Sequence, residues 1–368
     1  MKKAFAISLV LLALLALAGC RGNAPDAGGT SPGTTPPVTT VSGSDTTPGS
    51  PGTSSTPPET SPETSPETSS EASTSAEVTT SHEKETEPMV ITKIIKFSKG
   101  TVKNSVQGMS VWQDRLFQLY HTGECNVYDL ATGSPEPIAT FRLGSASSAN
   151  HANSCNFSTI HYRGNPIPLL YVVDGNSGNV MKCSIENITE KDGVYTSECI
   201  GTIELDQSGF ERAGYMPYWG WPSWLVGTDG EHIWLHGARY RTNRSMDAYY
   251  AENRYIITKF RLPSTDERHV TLTADDVVEQ FTTEYNVNFT QGGTVWGDYL
   301  FYTFGTGKAE NPSAIRAWNL KTGRLLPPID VSEIAEELED CAVVGDRLYF
   351  ITQKSNLYSI PLSAATAE

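Results

Sequence analysis

From residue 89 onward, short runs of alternating apolar and polar residues are separated by turn residues. The runs are rich in β-branched and aromatic side chains and end at Gly, Asp or Asn, which is the pattern of strands and hairpins. Examples are residues 90–95, 115–120, 169–173 and 299–304. One window, residues 331–339, places Ile334 and Leu338 four positions apart and predicts a short helix in a loop. The pattern therefore predicts an all-β domain.

The strands recur in similar groups. Trp112-Gln113-Asp114-Arg115-Leu116-Phe117 is matched by Trp296-Gly297-Asp298-Tyr299-Leu300-Phe301, and each is followed by a strand that ends in a Thr-Gly turn. A single four-stranded sheet cannot bury both of its faces, so such copies are expected to pack around an axis. We predict a β-propeller, most simply of five four-stranded blades, with a β-sandwich as the alternative. The predicted blades are residues 105–143, 151–205, 214–263, 288–331 and 339–362, and the strand at 90–97 closes the last blade.

The N-terminus predicts export and lipid attachment. Lys2 and Lys3 precede an apolar run from Ala4 to Ala18, which has the length of a signal-peptide core rather than of a membrane span. The run ends in Leu17-Ala18-Gly19-Cys20, the lipobox pattern of bacterial lipoproteins. We therefore predict a signal peptide over residues 1–19 and acyl chains such as palmitate on Cys20, which would anchor the protein to the cell membrane on its extracytoplasmic side.

Residues 20–88 predict a disordered stalk. The segment 31–88 is almost entirely Ser, Thr, Pro, Gly and Glu and contains no Leu, Ile, Phe, Tyr or Trp. It buries too little apolar surface to offset the entropy of ordering its backbone. Pro residues and repelling carboxylates extend such a chain, so it would act as a spacer that carries the domain of residues 89–368 through a cell wall. That use favours a Gram-positive host.

Charge and motifs exclude several classes of function. The net charge is −15 for the whole chain and −9 for residues 89–368. No basic stripe is present to neutralise phosphates, which excludes nucleic-acid binding. No HExxH or CxxC spacing predicts a metal site, and no phosphate loop or other motif predicts a cofactor.

Two blades carry a family resemblance. Thr290-Gln291-Gly292, the segments 297–301 and 320–323, and the stretch Trp224–Gly230 are similar to blades of plant-type and bacterial glutamine cyclotransferases. The resemblance implies a five-bladed propeller and an enzyme that cyclises N-terminal Gln. It also implies a general acid/base glutamate in a Gly-Glu-Gly that opens the second blade. This chain has Asn150-His151-Ala152-Asn153-Ser154-Cys155 there, so the implied proton carrier is missing.

Candidate site residues follow from the propeller interpretation, because the segments that lead into the innermost strands meet at one end of the central channel. The residues at these blade starts are polar or aromatic, as a ligand site requires. They are Gln107, His151, Asn153, Tyr215, Tyr218, Trp219, Trp221, Gln291, Glu339 and Asp340. The alternative for each aromatic residue is that it fills a gap between blades.

Two functional hypotheses remain. The preferred one is a non-enzymatic module that binds an extracellular glycan, peptide or partner protein. The alternative is a cyclotransferase, hydrolase or lyase that uses His151 and Asn153. His151 with Cys155 resembles a Cys/His nucleophile pair, and with His121 and Glu124 a metal site, although a structural histidine explains the pattern as well. Among five cysteines after Cys20, Cys183 and Cys199 flank one predicted hairpin and are the candidate disulfide.

Overall fold

The computed structural model describes residues 88–218, 222–239, 254–283 and 290–367. The predicted signal peptide, Cys20, the stalk to residue 87, Trp219 and Trp221 lie outside these ranges. Within them, none of the helices has the length and apolar character needed to cross a bilayer.

The described residues form twenty-two strands, two single-turn α-helices and three 3₁₀ helices, which are Tyr162–Gly164, Gly178–Val180 and Ala274–Asp276. In chain order the strands are β1 (Thr92–Lys96), β2 (Val106–Trp112), β3 (Arg115–Tyr120), β4 (Glu124–Asp129), β5 (Ala139–Arg142), β6 (Ala152–Phe157), β7 (Leu170–Asp174), β8 (Cys183–Lys191), β9 (Val194–Leu205), β10 (Ser223–Val226), β11 (His232–Arg239), β12 (Arg254–Arg261), β13 (His269–Leu272), β14 (Val277–Thr282), β15 (Thr290–Trp296), β16 (Tyr299–Phe304), β17 (Ala314–Asn319), β18 (Arg324–Leu325), β19 (Ile329–Asp330), β20 (Leu338–Val344), β21 (Arg347–Thr352) and β22 (Asn356–Pro361). The helices are α1 (Phe210–Ala213) and α2 (Leu362–Ala365).

The strands form five small antiparallel sheets arranged in a ring, which confirms the predicted propeller. The strand orders are β2-β3-β4-β5 in blade 1, β6-β7-β8-β9 in blade 2, β10-β11-β12-β14 in blade 3, β15-β16-β17 with β18 and β19 in blade 4, and β20-β21-β22-β1 in blade 5. The N-terminal strand β1 pairs antiparallel with β22, so it completes the last blade as predicted.

The buried hydrophobic side chains of the described residues form five clusters, one between each pair of neighbouring blades. The cluster between blades 5 and 1 contains Met109 and Tyr120 from one blade and Ile351 and Leu357 from the other. Because a core of this kind joins the last blade to the first, the ring is closed by packing as well as by β1.

Two predicted elements differ from the structure. Blade 3 was expected to end at residue 263, but its outer strand is β14, and β13 instead pairs in parallel with β9 of blade 2. The long strand β9 would otherwise leave an unpaired edge, which β13 covers. The predicted helix at 331–339 is wrong: the segment forms a turn in which the Ile334 N–H donates to the Val331 carbonyl, and Leu338 begins β20. Both Ile334 and Leu338 fill the core between blades 4 and 5, and that packing overrides the helical spacing.

Candidate functional site

The channel mouth is the end of the central channel at which the innermost strands β2, β6, β10, β15 and β20 begin. Four of these strands have a β-bulge against their neighbour close to their first residue. The bulges place one polar residue of each strand at an equivalent position: Gln107, Asn153, Gln291 and Glu339. A bulge re-aims a side chain without ending the sheet, so four hydrogen-bonding side chains ring the mouth.

Asp340 fills the channel axis just below this ring. Its Oδ2 accepts hydrogen bonds from the backbone N–H of Met109 at 2.9 Å, the N–H of Cys155 at 3.2 Å and the Ser154 hydroxyl at 3.2 Å. Its Oδ1 accepts from the N–H of Cys341 at 2.9 Å. The side chain is fully buried, and burial raises its pKa against the opposing effect of these donors. One carboxyl group thus connects the inner strands of blades 5, 1 and 2.

Two glycines allow the inner strands to approach one another closely around this carboxyl group. A Cβ on Gly292 would lie 2.2 Å from Oδ1 of Asp340, and a Cβ on Gly108 would lie 3.1 Å from the Ser154 backbone. Farther along the channel, the Asn156 amide donates to the Gly293 carbonyl at 2.8 Å. Because direct contacts cross the axis, a ligand would approach the mouth rather than thread through the channel.

The four ring residues differ in how their polar atoms are satisfied. Gln291 donates to Oε1 of Glu337 at 2.7 Å, and Asn153 is hydrogen-bonded to His151. Gln107 and Glu339 are only 8% and 4% exposed. Among the described residues, however, neither side chain has a hydrogen-bond partner. Burial raises the pKa of Glu339 well above its usual range, and the nearby Glu337 and Asp340 carboxylates raise it further. The polar atoms of this pair are not among the fully buried side-chain atoms that lack a partner, so they stay open at the mouth, where a ligand could supply the hydrogen bonds that the protein does not.

His151 lies beside the ring at the junction of blades 1 and 2. Its ring packs against His121 with the centroids 4.4 Å apart, and its backbone N–H donates to Asp174 at 3.2 Å. Burial lowers the pKa of His151, and the neighbouring His121 lowers it further, although the hydrogen bond to Asn153 opposes the change. The imidazole is therefore held neutral at physiological pH. The structure does bring His151 and Asn153 together, as a shared site requires.

The described geometry gives no support to the nucleophile and metal interpretations of this segment. Cys155 is fully buried in the core between blades 1 and 2, and burial raises the pKa of its thiol well above the usual value. Thiolates, rather than thiols, act as nucleophiles. Glu124 is engaged by Asn104 and Thr122. No three His, Cys, Asp or Glu side chains of the described residues are grouped so that they could hold a metal ion.

The aromatic candidates need correction. Tyr218 is completely buried between blades 2 and 3, where its hydroxyl donates to the Leu235 carbonyl at 2.6 Å and lies 2.7 Å from the Thr258 hydroxyl. Tyr215 packs against the same core and contacts Phe210 with ring centroids 5.9 Å apart. Neither tyrosine belongs to the ring of bulged residues: Tyr218 is enclosed between blades 2 and 3, and Tyr215 is half-buried against the same core.

The candidate disulfide is also absent. Cys183 and Cys199 are free thiols, and the register of β8 and β9 places Ile203 opposite Cys183 and Glu186 opposite Cys199. The hairpin is longer than expected, so the two cysteines are offset along it.

Sequence analysis missed two features of the mouth. Glu337 was not singled out, although it holds Gln291 in place. Asp340 was expected to contact a ligand, but its oxygens are occupied by protein donors. Aligning Gln291-Gly292 with Glu339-Asp340 would have indicated the second feature, because the glycine of blade 4 accommodates the aspartate of blade 5.

Comparisons with known proteins show a likeness of structure only. No protein-family model matches the chain, and no curated protein matches it. A crystal structure of Myxococcus xanthus glutaminyl cyclase is similar over 74% of this chain and 96% of that one, with 13% identity and a TM-score of 0.42. Kuenenia stuttgartiensis hydrazine synthase is similar over 67% of this chain and 61% of that one, with 14% identity and a TM-score of 0.32.

Proposed function

We propose that this chain is a lipid-anchored extracytoplasmic protein whose propeller binds a peptide at the channel mouth. The observation that carries the binding proposal is the pair of buried side chains at equivalent bulges, Gln107 and Glu339, which lack partners among the described residues. A ligand that donates and accepts hydrogen bonds would satisfy both of them, and each such bond contributes about 1 kcal/mol.

The composition of the ring favours a peptide over a glycan. Gln107, Asn153 and Gln291 present amides, which can each donate and accept, as peptide groups do. Sugar rings are commonly bound by stacking on aromatic faces. Of the aromatic candidates that the structure describes, Tyr218 is enclosed between blades and Tyr215 is half-buried against the same core. The closed axis favours a short contact, such as the end of a peptide.

The binding proposal is tested with the full chain purified in detergent. Peptides selected from a random display library are titrated into wild type, Gln107→Ala and Glu339→Ala. Each variant removes one partner, so affinity should fall about tenfold. Gln353→Ala, an exposed glutamine outside the ring, is the matched control and should bind as wild type does. Selection of glycans but not peptides from parallel arrays, or equal binding by all four proteins, would refute the proposal.

A second candidate is an enzyme that transfers a proton at the same mouth. It is favoured by two opposite pKa changes near the mouth: the pKa of Glu339 is raised and that of His151 is lowered, and acid/base groups are tuned in these directions. The test is turnover of Gln-terminated peptides by wild type, His151→Ala and Glu339→Gln. Turnover that His151→Ala abolishes would replace the binding-only proposal.

The anchoring proposal depends on Cys20 and the signal sequence before it. In a bacterial host fed a fatty-acid analogue, wild type should carry the label and stay with the membrane. Cys20→Ser should be unlabelled and released. Labelling of both proteins would exclude Cys20 as the site of lipid attachment.

A further inference from the structure

A cavity of about 500 Å³ lies between blades 1 and 2, at the end of the propeller opposite the mouth. Blade 1 contributes Trp112, the turn Gln113-Asp114 and the ends of β3 and β4. Blade 2 contributes the tip of the β8–β9 hairpin, including Glu190 and Tyr195. The volume is in the range of pockets that hold small ligands, and none of its residues takes part in the mouth.

The backbone of Gln113 distinguishes this turn from its counterparts. Gln113 has φ +53°, a left-handed conformation that favours glycine. The equivalent turns of blades 4 and 5 have Gly297 and Gly345, with φ +54° and +60°. No atom lies within 4 Å of a Cβ built on either glycine, so space is not what selects glycine there. Blade 1 thus keeps a strained glutamine at the one such turn that borders this cavity, and retained strain of this kind is typical of functional positions.

The cavity wall combines aromatic rings with fixed polar groups. The Arg115 guanidinium contacts the Asp129 carboxylate at 2.5 Å and is hydrogen-bonded to Tyr195. The Tyr195 ring is held by Phe117 and Phe141, with centroids 5.9 Å and 6.1 Å away. Trp112 is partly buried against the same core. Aromatic rings beside planar, preordered donors and acceptors suit a pyranose, whose C–H face stacks while its hydroxyls form hydrogen bonds.

We propose that this cavity, bounded by Trp112, Gln113, Arg115, Asp129 and Tyr195, binds a saccharide. Three carboxylates and one guanidinium line it, so its charge favours a neutral or amino sugar over an acidic one. The site is separate from the peptide-binding mouth and does not depend on it.

The test uses an array of immobilised neutral, amino and acidic mono- to tetrasaccharides, probed with the full chain in detergent. The best-bound saccharide is then titrated into Gln113→Gly and Tyr195→Phe. Gln113→Gly removes the side-chain amide, so saccharide affinity should fall about tenfold. It also removes the backbone strain, so the unfolding midpoint should rise by about 2–4 °C. Tyr195→Phe keeps the packed ring and removes the hydroxyl next to Arg115, and should also weaken binding severalfold.

Two control variants show whether the loss of binding is specific to this cavity. Arg163 lies outside the cavity and also has a left-handed backbone, with φ +50°. Arg163→Gly therefore relieves the same kind of backbone strain and should leave saccharide binding unchanged. Glu339→Ala, at the mouth, should also leave saccharide affinity unchanged. The saccharide proposal and the peptide proposal can therefore fail independently. The proposal would be overturned if no saccharide binds, if acidic sugars are preferred, or if peptides rather than saccharides bind in this cavity. Unchanged saccharide affinity of Gln113→Gly would overturn it as well.

Discussion

Removal of the Asp340 carboxyl group tests whether one buried side chain holds three inner strands together at the axis. In Asp340→Ala the backbone N–H groups of Met109, Cys155 and Cys341 lose their acceptor, as does the Ser154 hydroxyl. A buried donor left without a partner costs about 1–3 kcal/mol, so three of them would cost at least ~3 kcal/mol.

Two effects reduce this figure. The variant no longer buries a carboxyl group, whose desolvation opposes folding, and a water molecule can occupy the vacated polar space. We therefore expect a net loss of about 2–4 kcal/mol in the free energy of unfolding. For a domain of this size that corresponds to a fall of about 5–12 °C in Tm.

The assay is urea unfolding of the full chain followed by tryptophan fluorescence. The matched control is Asp298→Ala, because Asp298 is half-exposed and pairs with Lys321 at 2.7 Å; a surface pair of this kind contributes about 0–1 kcal/mol. Asp340→Asn keeps the shape but loses an acceptor atom, so it should fall between wild type and Asp340→Ala. If Asp340→Ala unfolds within about 0.5 kcal/mol of the control, Asp340 does not connect the blades.

Three further predictions concern the same end of the domain and the closure of the ring. Because the pKa of Glu339 is raised in the folded state, ionisation of this group opposes folding. The stability that the protonated carboxyl group contributes is fully present below the unfolded pKa of about 4.3 and is lost as pH rises through the folded pKa. Glu339→Gln should therefore match wild type at pH 4 and be more stable at pH 8 in urea titrations, and parallel pH curves would contradict this. Gly292→Ala places a Cβ 2.2 Å from Asp340 and should destabilise the fold more than Gly201→Ala, where the nearest atom is 3.4 Å away. In a double-mutant cycle, the stability lost through Gly292→Ala should be smaller in the Asp340→Ala background. Fully additive losses would refute a clash between the two side chains. Deletion of residues 89–97 removes β1 and exposes the edge of β22, so it should lower the urea midpoint and promote aggregation. Deletion of nine stalk residues, 60–68, is the control and should do neither. Equal urea midpoints for the two deletion variants would show that β1 is dispensable.

Much of the fold could be predicted from sequence because its units repeat. The blades repeat the same order of apolar runs, and three of the five have a Gly-Asp or Asp-Gly turn between their first two strands, so the period sets the number of sheets. The assignment of β13 to blade 2 could not be predicted, because it depends on which neighbouring edge is left open after folding. The offset of Cys183 and Cys199 was missed because the hairpin turns between Lys191 and Val194, and the register shift between Ile185 and Glu186 adds one more residue to the offset.

The sequence predicted which residues begin the inner strands at the mouth, but not which of their polar groups are satisfied by the protein. Gln107, Asn153 and Gln291 could be placed at the mouth because they begin inner strands. Burial, however, is a property of the packed ring, so sequence could not separate Asp340, which protein donors satisfy, from its neighbour Glu339, which lacks a partner among the described residues. Tyr218 was misassigned because a tyrosine in a wedge between blades has the same sequence context as one at a surface.

The role of Glu339 as a ligand contact can be measured at its own carboxyl carbon. With glutamate labelled at the δ-carbon by ¹³C, the Glu339 signal is assigned from its loss in Glu339→Gln and followed by NMR as the selected peptide is added. We predict that saturating peptide shifts this signal and its apparent pKa, while the signal of Glu190 at the opposite end does not change. A Glu339 signal that keeps its position and pKa in the saturated complex would contradict peptide binding at the mouth.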